Sequence, residues 1–333
     1  MLDVKYMERA LELAKMGSGN TNPNPLVGAV IVKEGRIIGE GYHEIYGSHH
    51  AEVNAFINAT EEVSGATMYV TLEPCSHFGK TPPCANAIVK NKIKKVIIGL
   101  KDPNPMVAGR GIKILKDNGI EVVTGVLSKE GKKLNEIFLK YITGKIPFCI
   151  LKTEMHLDTK ISTYTGESRW VTEEFSRKYL HELRHRVAGI MVGIDNPLGI
   201  TRSETLSDPI RIIVDSSGKI PTEAKLLKLN SKTIIATTEK VDKAKIEFLK
   251  KKGVMVIITP IKDGKIDLKF LMKTLGEQGI DSVLLEGESE LNYLALEEGI
   301  VDKIDAFITP KVIGGDYHFT EEYVEGRSLC LLD

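Results

Sequence analysis

The chain has 333 residues, room for two globular domains at roughly 100–200 residues each. Hydrophobic residues at 42% and charged residues at 27% match the composition of folded domains and exclude disorder along the whole chain. The 45 Lys and Arg balance the 45 Asp and Glu with no basic stripe, so a small-molecule partner is expected rather than a nucleic acid. No segment reaches the ~20 apolar residues of a bilayer crossing, so no membrane partner is expected. The amphipathic, acid-bearing start lacks a secretory pattern, and a cytoplasmic enzyme is the expectation.

In chain order, Val4, Met7, Leu11 and Ala14 recur at helical spacing, and Leu26 to Val32 form an apolar run bounded by Pro25 and Gly35. Val53, Phe56, Ile57 and Thr60 fit a second helical face. Met68 to Leu72 reads as a buried strand, Ala85 to Lys92 as a helix and Val96 to Leu100 as another strand. This alternation predicts an α/β layer fold. Thr143 to Pro147 carries linker punctuation, which places a first domain at 1–144 and a second at 148–333. The second part repeats the pattern, with strands predicted at Phe148 to Leu151, Ile190 to Val192, Ile210 to Val214, Thr233 to Ala236, Val254 to Ile258, Val283 to Glu286 and Ile304 to Thr309. Helical stretches such as Ala244 to Lys252 separate them.

Four cysteines are too few for a secreted disulfide scaffold of this size, and only Cys75 and Cys84 lie close together. Upstream of them stands His50-Ala51-Glu52. One imidazole and two thiolates suit a catalytic zinc site, in which three protein ligands leave one position open for water. Cys84 follows Thr81-Pro82-Pro83, where Thr81 is a candidate cap and a proline a candidate helix opener. A thiol there feels the helix N-terminus, which favours the thiolate needed for ligation. His50 and Glu52 stand about 200° apart around a regular helix. They can serve one metal only if the helix offers its N-terminal end, with His50 as a ligand and Glu52 as a non-ligating proton shuttle. Each piece alone is an ordinary helix start or a core thiol. Together they match the order of zinc nucleobase deaminases, H-x-E then P-C, with eight residues before the second cysteine where the common pattern has two.

At these residues the chain resembles the bifunctional deaminase–reductases of riboflavin biosynthesis. The resemblance rests on Asn22 to Val30 (NPNPLVGAV), His50 to Val53 (HAEV), Tyr69 to Cys84 (YVTLEPCSHFGKTPPC) and Asp102 to Leu115 (DPNPMVAGRGIKIL). The eight-residue gap is this family's own spacing. The resemblance implies a cytidine-deaminase-like α/β/α domain followed by a dihydrofolate-reductase-like α/β domain. It implies hydrolysis of an amino group from a diamino-ribosylaminopyrimidinone 5′-phosphate, then hydride transfer from NADPH to open the ribosyl ring into a ribityl chain. By matching positions, His50, Cys75 and Cys84 would carry Zn2+ and Glu52 would shuttle the proton. Asn24, His43, His77 and Lys80 would surround the deaminase substrate. Lys152, Ser168, Trp170, Thr172, Arg184, Asp195, Arg202 and Glu286 would serve the reductase substrate and cofactor. A homo-oligomer is expected of such an enzyme.

The second domain departs from the family pattern in four places. His156-Leu157-Asp158-Thr159-Lys160 has Thr159 where the family has glycine. The chain is several residues shorter between Gly193 and Asp195, Glu288 replaces a glycine after Glu286-Gly287, and the C-terminus is short. A carboxylate in the place of Glu288 opposes an approaching phosphate. The alternative to a bifunctional enzyme is therefore a deaminase whose reductase-like domain is inactive or altered in cofactor preference. A nucleic-acid base deaminase would share the zinc set, but the balanced charge and the lack of a basic patch interleaved with aromatics count against it.

Overall fold

The computed structural model describes residues 2–76, 83–104, 108–157, 174–194, 209–224, 227, 232–287 and 289–309. The chain divides into two compact units, Met1–Gly144 and Lys145–Asp333. Among the described residues no helix is long and apolar enough to cross a membrane.

The first unit is a five-stranded sheet clasped by helices. Its strands are β1 (Gly28–Lys33), β2 (Arg36–Tyr42), β3 (Thr67–Leu72), β4 (Lys95–Leu100) and β5 (Glu121–Thr124), in the order β2-β1-β3-β4-β5. β1 runs antiparallel to β2 and β3, whereas β3, β4 and β5 are parallel. Alternate residues feed two cores. Ala29, Ile31, Met68, Val70, Val96 and Ile98 enter one, shared with α2 (Ala51–Ile57), α3 (Cys84–Lys90) and α4 (Arg110–Asp117). Val30, Val32, Tyr69 and Ile97 enter the other, against Met7, Ala10, Leu11 and Leu13 of α1 (Leu2–Lys15). Burial on both faces explains why these strands read as unbroken apolar runs. Two further helices, α5 (Ser128–Leu134) and α6 (Glu136–Gly144), complete the unit.

The helix around residue 55 differs from its sequence expectation. Its buried residues are Ala51, Glu52 and Ala55, while Ile57 is 64% exposed and Thr60 lies beyond its end. The cause sits on β2. A Cβ at Gly41 would fall inside contact distance of the Ala51 carbonyl and the Ala55 amide nitrogen, and one at Gly39 would strike the Ala55 carbonyl. Backbone lies directly on backbone, so the small Ala51 and Ala55 form the closest contact with the sheet, Phe56 packs partly buried beside them, and Ile57 is left in solvent. Asn54 Nδ2 donates to the Tyr42 carbonyl at 2.8 Å and Asn58 Nδ2 to the Glu40 carbonyl at 2.9 Å, which fixes the helix along β2. The strand β2 itself and the helices α4 to α6 were not anticipated from the sequence.

The second unit is built on a seven-stranded sheet whose described pairings are all parallel. In chain order its strands are β6 (Phe148–His156), β7 (Gly189–Gly193), β8 (Ile210–Val214), β9 (Thr233–Thr238), β10 (Met255–Thr259), β13 (Ser282–Leu285) and β14 (Lys303–Thr309), with a small hairpin of β11 (Ile261–Lys262) and β12 (Lys265–Ile266). The spatial order is β10-β9-β8-β7-β13-β6-β14. One face carries Cys149, Leu151, Met191, Ile212, Ile234, Val283 and Leu285. Leu271, Met272 and Leu275 of α9 (Leu268–Glu277) and Leu291, Leu294 and Ala295 of α10 (Ser289–Glu297) cover it. Toward the other face lies α7 (Glu174–Arg186), whose Tyr179 ring meets Phe307 of β14 at 5.8 Å. α8 (Lys243–Lys251) precedes β10.

Substituting Gly41→Ala should push α2 off β2 at a cost of about 1–3 kcal/mol, the usual range for overpacking a close contact. Denaturant unfolding of the variant checks the stability loss.

Candidate active site

Three segments converge on one point beyond the end of β3, the central strand of the first sheet. His50 occupies the N-cap position of α2 with extended backbone (φ −74°, ψ 162°), and Glu52 lies in the first helical turn, 3% exposed. Cys75 lies just after β3, and Cys84 is the first residue of α3. The helix therefore presents its N-terminal end, the one arrangement that reconciles the two-residue spacing of His50 and Glu52. The His50 Nδ1 lies 3.5 Å from Cys75 Sγ and 3.3 Å from Cys84 Sγ, and one donor atom from each residue falls within 4.8 Å of the others.

These separations fit a zinc ion. Bond lengths of about 2.3 Å to sulfur and about 2.0–2.1 Å to nitrogen in a tetrahedron put S and N about 3.6 Å apart. The protons tell the same story. Cys75 is drawn down to about 4 by the hydrogen bond from the Cys84 thiol, with His50 and the Cys84 backbone N–H adding to it against the cost of burial. Cys84 is held well above the ordinary thiol range by the neighbouring Cys75 sulfur and by burial. His50 is raised, chiefly by its hydrogen bond to Cys75. Two thiols and an imidazole thus crowd around protons in a space where a dication would replace them.

The expectation that Thr81 caps α3 is not met, since the N-cap position belongs to Pro83, which has no side-chain cap. The Cys75 sulfur supplies the acceptor instead, taking a hydrogen bond from the Cys84 backbone N–H at 3.2 Å. Cys75 thereby satisfies one of the four N-terminal amides that a helix leaves open.

Burial raises the Glu52 carboxyl above its ordinary range, the Cys75 charge adds to this, and the carboxyl shares a hydrogen bond with Cys84. Beside it, His43 is 3% exposed and its ring stands 5.5 Å from that of His50, edge to face. Burial lowers the His43 pKa and keeps the ring neutral. Its Nδ1 lies 3.0 Å from the His49 carbonyl, which can only accept, so Nδ1 carries the hydrogen. Nε2 is then an acceptor, 3.1 Å from Asn24 Nδ2, which donates to it. That contact orients the Asn24 amide, leaving its oxygen as the acceptor it can offer a ligand. His77 and Lys80 lie outside the described residues.

Three further side chains hold this region together. Asn135, 3% exposed, accepts from the Leu26 amide at 2.8 Å and donates to the Leu26 carbonyl at 3.0 Å. It anchors the Asn24-Pro25-Leu26 turn from 109 residues away, and no local pattern could reveal it. Thr71 Oγ1 accepts from the Gly28 amide at 3.1 Å on the same segment. Glu73 belongs to the quoted Glu73-Pro74-Cys75 motif but had no role assigned. It is 4% exposed, and its carboxylate accepts from backbone amides of the segment after β4.

In the second unit three of the expected reductase residues are described. Arg184 of α7 and Glu286, just after β13, meet each other in a two-pronged ion pair, Nε to Oε1 at 2.7 Å and Nη2 to Oε2 at 2.5 Å. Burial is the largest single influence and opposes the Arg184 charge, but the Glu286 hydrogen bond and the nearby charges of Glu286 and Glu154 together outweigh it and the pKa is raised. Lys152 Nζ pairs with Glu154 Oε1 at 2.6 Å. Glu154 was also overlooked, although period-two alternation along β6 places it on the Lys152 face. Ser168, Trp170, Thr172, Asp195 and Arg202 lie outside the described residues, as do Thr159, Glu288 and the chain after residue 309.

Replacing Asn135→Ala should leave the Leu26 N–H and C=O without their partners, at about 1–3 kcal/mol for each buried group left unsatisfied. Urea unfolding measures the loss, and the KM for deamination should rise because the Asn24 turn is released.

Comparison with known proteins places both units. The profile of the cytidine and deoxycytidylate deaminase zinc-binding region matches residues 1–100, and that of the RibD C-terminal domain matches residues 147–327. The chain is 48% identical over 322 residues to the riboflavin biosynthesis protein RibD of Actinobacillus pleuropneumoniae, covering 95% of this chain and 85% of the relative. It is 44% identical over 319 residues to RibD of Aquifex aeolicus, covering 94% and 88%. Acinetobacter baumannii RibD matches its fold with a TM-score of 0.86 at 37% identity, over 98% of this chain and 92% of that one. The Thermotoga maritima diaminohydroxyphosphoribosylaminopyrimidine deaminase/5-amino-6-(5-phosphoribosylamino)uracil reductase does so with a TM-score of 0.86 at 36% identity, over 99% and 93%. With relatives this similar along nearly its whole length, the chain belongs to the RibD family of bifunctional deaminase–reductases of riboflavin biosynthesis.

Proposed function

We propose that the first unit removes an amino group from a diamino-ribosylaminopyrimidinone 5′-phosphate and that the second reduces the ribosyl group of the product with NADPH. The observation that carries the deaminase assignment is the meeting of His50, Cys75 and Cys84 at one point with a buried Glu52 beside them.

His50, Cys75 and Cys84 would hold zinc, which when bound acidifies water enough to supply a nucleophile near neutral pH. Glu52 moves the protons. It accepts one from the attacking water as the C–O bond forms and gives it to the ring amino nitrogen, which leaves as ammonia. Its raised pKa suits a group that must both take and return a proton. Asn24, turned by neutral His43, reads a pyrimidine N–H through its amide oxygen. His77 and Lys80 complete the substrate contacts, Lys80 as a cation for the phosphate.

In the second unit bound NADPH would supply a hydride for the ribosyl C1′, and the ring oxygen freed as its bond to C1′ opens would take up a proton to give the ribityl chain. Lys152, Arg184 and Glu286 serve this step together with Ser168, Trp170, Thr172, Asp195 and Arg202. Arg184 and Glu286 face the ligand as a preformed pair, so an entering phosphate or hydroxyl competes for groups already oriented. We place this chemistry in the cytoplasm, where thiol ligands stay reduced, and in a homo-oligomer.

Substituting Glu52→Gln should leave one zinc per chain and lower ammonia release by at least two orders of magnitude, the usual scale of a lost general acid–base group. Metal analysis and an ammonia assay read the two effects separately, and near-normal turnover would remove Glu52 from its role. Cys75→Ser should lose zinc, and full occupancy would break the ligand set. After deamination, the intact enzyme should consume NADPH, followed by its absorbance. A deaminated product that accumulates with no NADPH loss would leave only the first activity.

A further inference from the structure

The deaminase motif contains a buried carboxylate that the chemistry does not use. Glu73 follows directly on β3, two residues before Cys75, on the segment that carries the sulfur toward the metal point. Its Oε1 accepts from the Ile112 amide at 3.2 Å, and its Oε2 accepts from Gly109 at 3.1 Å and from Asp102 at 3.4 Å. Gly109 and Ile112 bracket the start of α4. The helix has Gly109 at its N-cap, in the left-handed conformation and with no side-chain cap of its own. Glu73 therefore caps α4 from a neighbouring strand, as an anion at the positive end of the helix dipole.

The same helix start is pressed against the metal segment. A Cβ at Gly111 would collide with the Pro74 carbonyl and would lie 3.3 Å from Glu73 Oε1. Pro74 is thus held between the Glu73 clamp and α4. On the opposite side the Cys75 carbonyl accepts from the Ala85 amide at 3.2 Å, and its sulfur accepts from the Cys84 amide. Cys75 is held directly by α3, while the two residues before it are held by the start of α4, through the Glu73 carboxylate and the packing of Gly111 on Pro74.

We propose that Glu73 is a positioning residue of the deaminase centre, fixing the Cys75 sulfur for metal binding by capping α4 across the strand end. This rests on the assignment of His50, Cys75 and Cys84 as metal ligands. Positioning partners behind a metal ligand commonly alter metal affinity by 10–100-fold. Glu73→Gln keeps the size but turns an amide NH2 toward backbone N–H groups, so one side of the clamp becomes donor against donor.

The test uses the full-length protein loaded with Co2+ in place of zinc, whose thiolate-to-metal absorption reports the geometry of the sulfurs. Folded Glu73→Gln should show a shifted or weakened thiolate band and release metal to a chelator at least tenfold faster than the unsubstituted protein. Leu115→Ala empties a core position on the same helix without touching the clamp. It should lower thermal stability while leaving the band and the release rate unchanged. A Glu73→Gln protein with the original band and release rate would overturn the positioning role, as would a Leu115→Ala protein that shifts the band equally. Should Glu73→Gln fail to fold, Glu73→Asp, which keeps the charge but shortens the reach, gives the same reading with the same criteria. Absence of any thiolate band in the unsubstituted protein would instead remove the metal assignment itself, and the proposal with it.

Discussion

The hydrogen bond from the Cys84 amide to the Cys75 sulfur is the contact around which the first unit is organised. It does two things at once. It satisfies an amide at the start of α3 that Pro83 has no side chain to cap, and it stabilises negative charge on a sulfur that must be a thiolate to ligate. The strand end that delivers this sulfur and the helix that delivers the next are thereby locked in register. His50 enters from a third segment, and its distance from both sulfurs is set by how closely α2 can lie on β2. Gly39 and Gly41 decide that distance by omitting a Cβ where backbone meets backbone.

The second unit solves a different problem with the same economy of parts. Its parallel strands bury one face in aliphatic side chains, and toward the other they gather charges in matched pairs, Arg184 with Glu286 and Lys152 with Glu154. Each of these four side chains is at most 28% exposed, and an unpaired charge there would be costly. Pairing gives each charge a fixed partner and a fixed direction.

Much of this was legible beforehand where the signal is local. The strand runs at residues 68–72, 96–100, 210–214 and 233–236 fall inside observed strands, because continuous apolar runs are the mark of strands buried on both faces. His-Ala-Glu and the two cysteines were recognisable because metal chemistry restricts the residue types. Phe56 packs against the core as its spacing suggests, but Ile57 misled for a physical reason: helical periodicity reveals which residues are apolar, whereas the face that packs is chosen by the surface underneath. Glu73 and Asn135 were opaque because each acts on backbone groups far along the chain, and backbone amides leave no trace in a residue pattern.

By itself the sequence determined the α/β alternation and the donor types of a candidate metal site, since these depend on residue identity and short spacing. Only the tertiary structure decided that α2 points its end at the cysteines, that a sulfur replaces a helix cap, that Glu73 clamps α4, and that Arg184 is already paired with Glu286. Those outcomes depend on which surfaces meet and on which buried polar groups must find partners, and both are settled when the chain closes on itself.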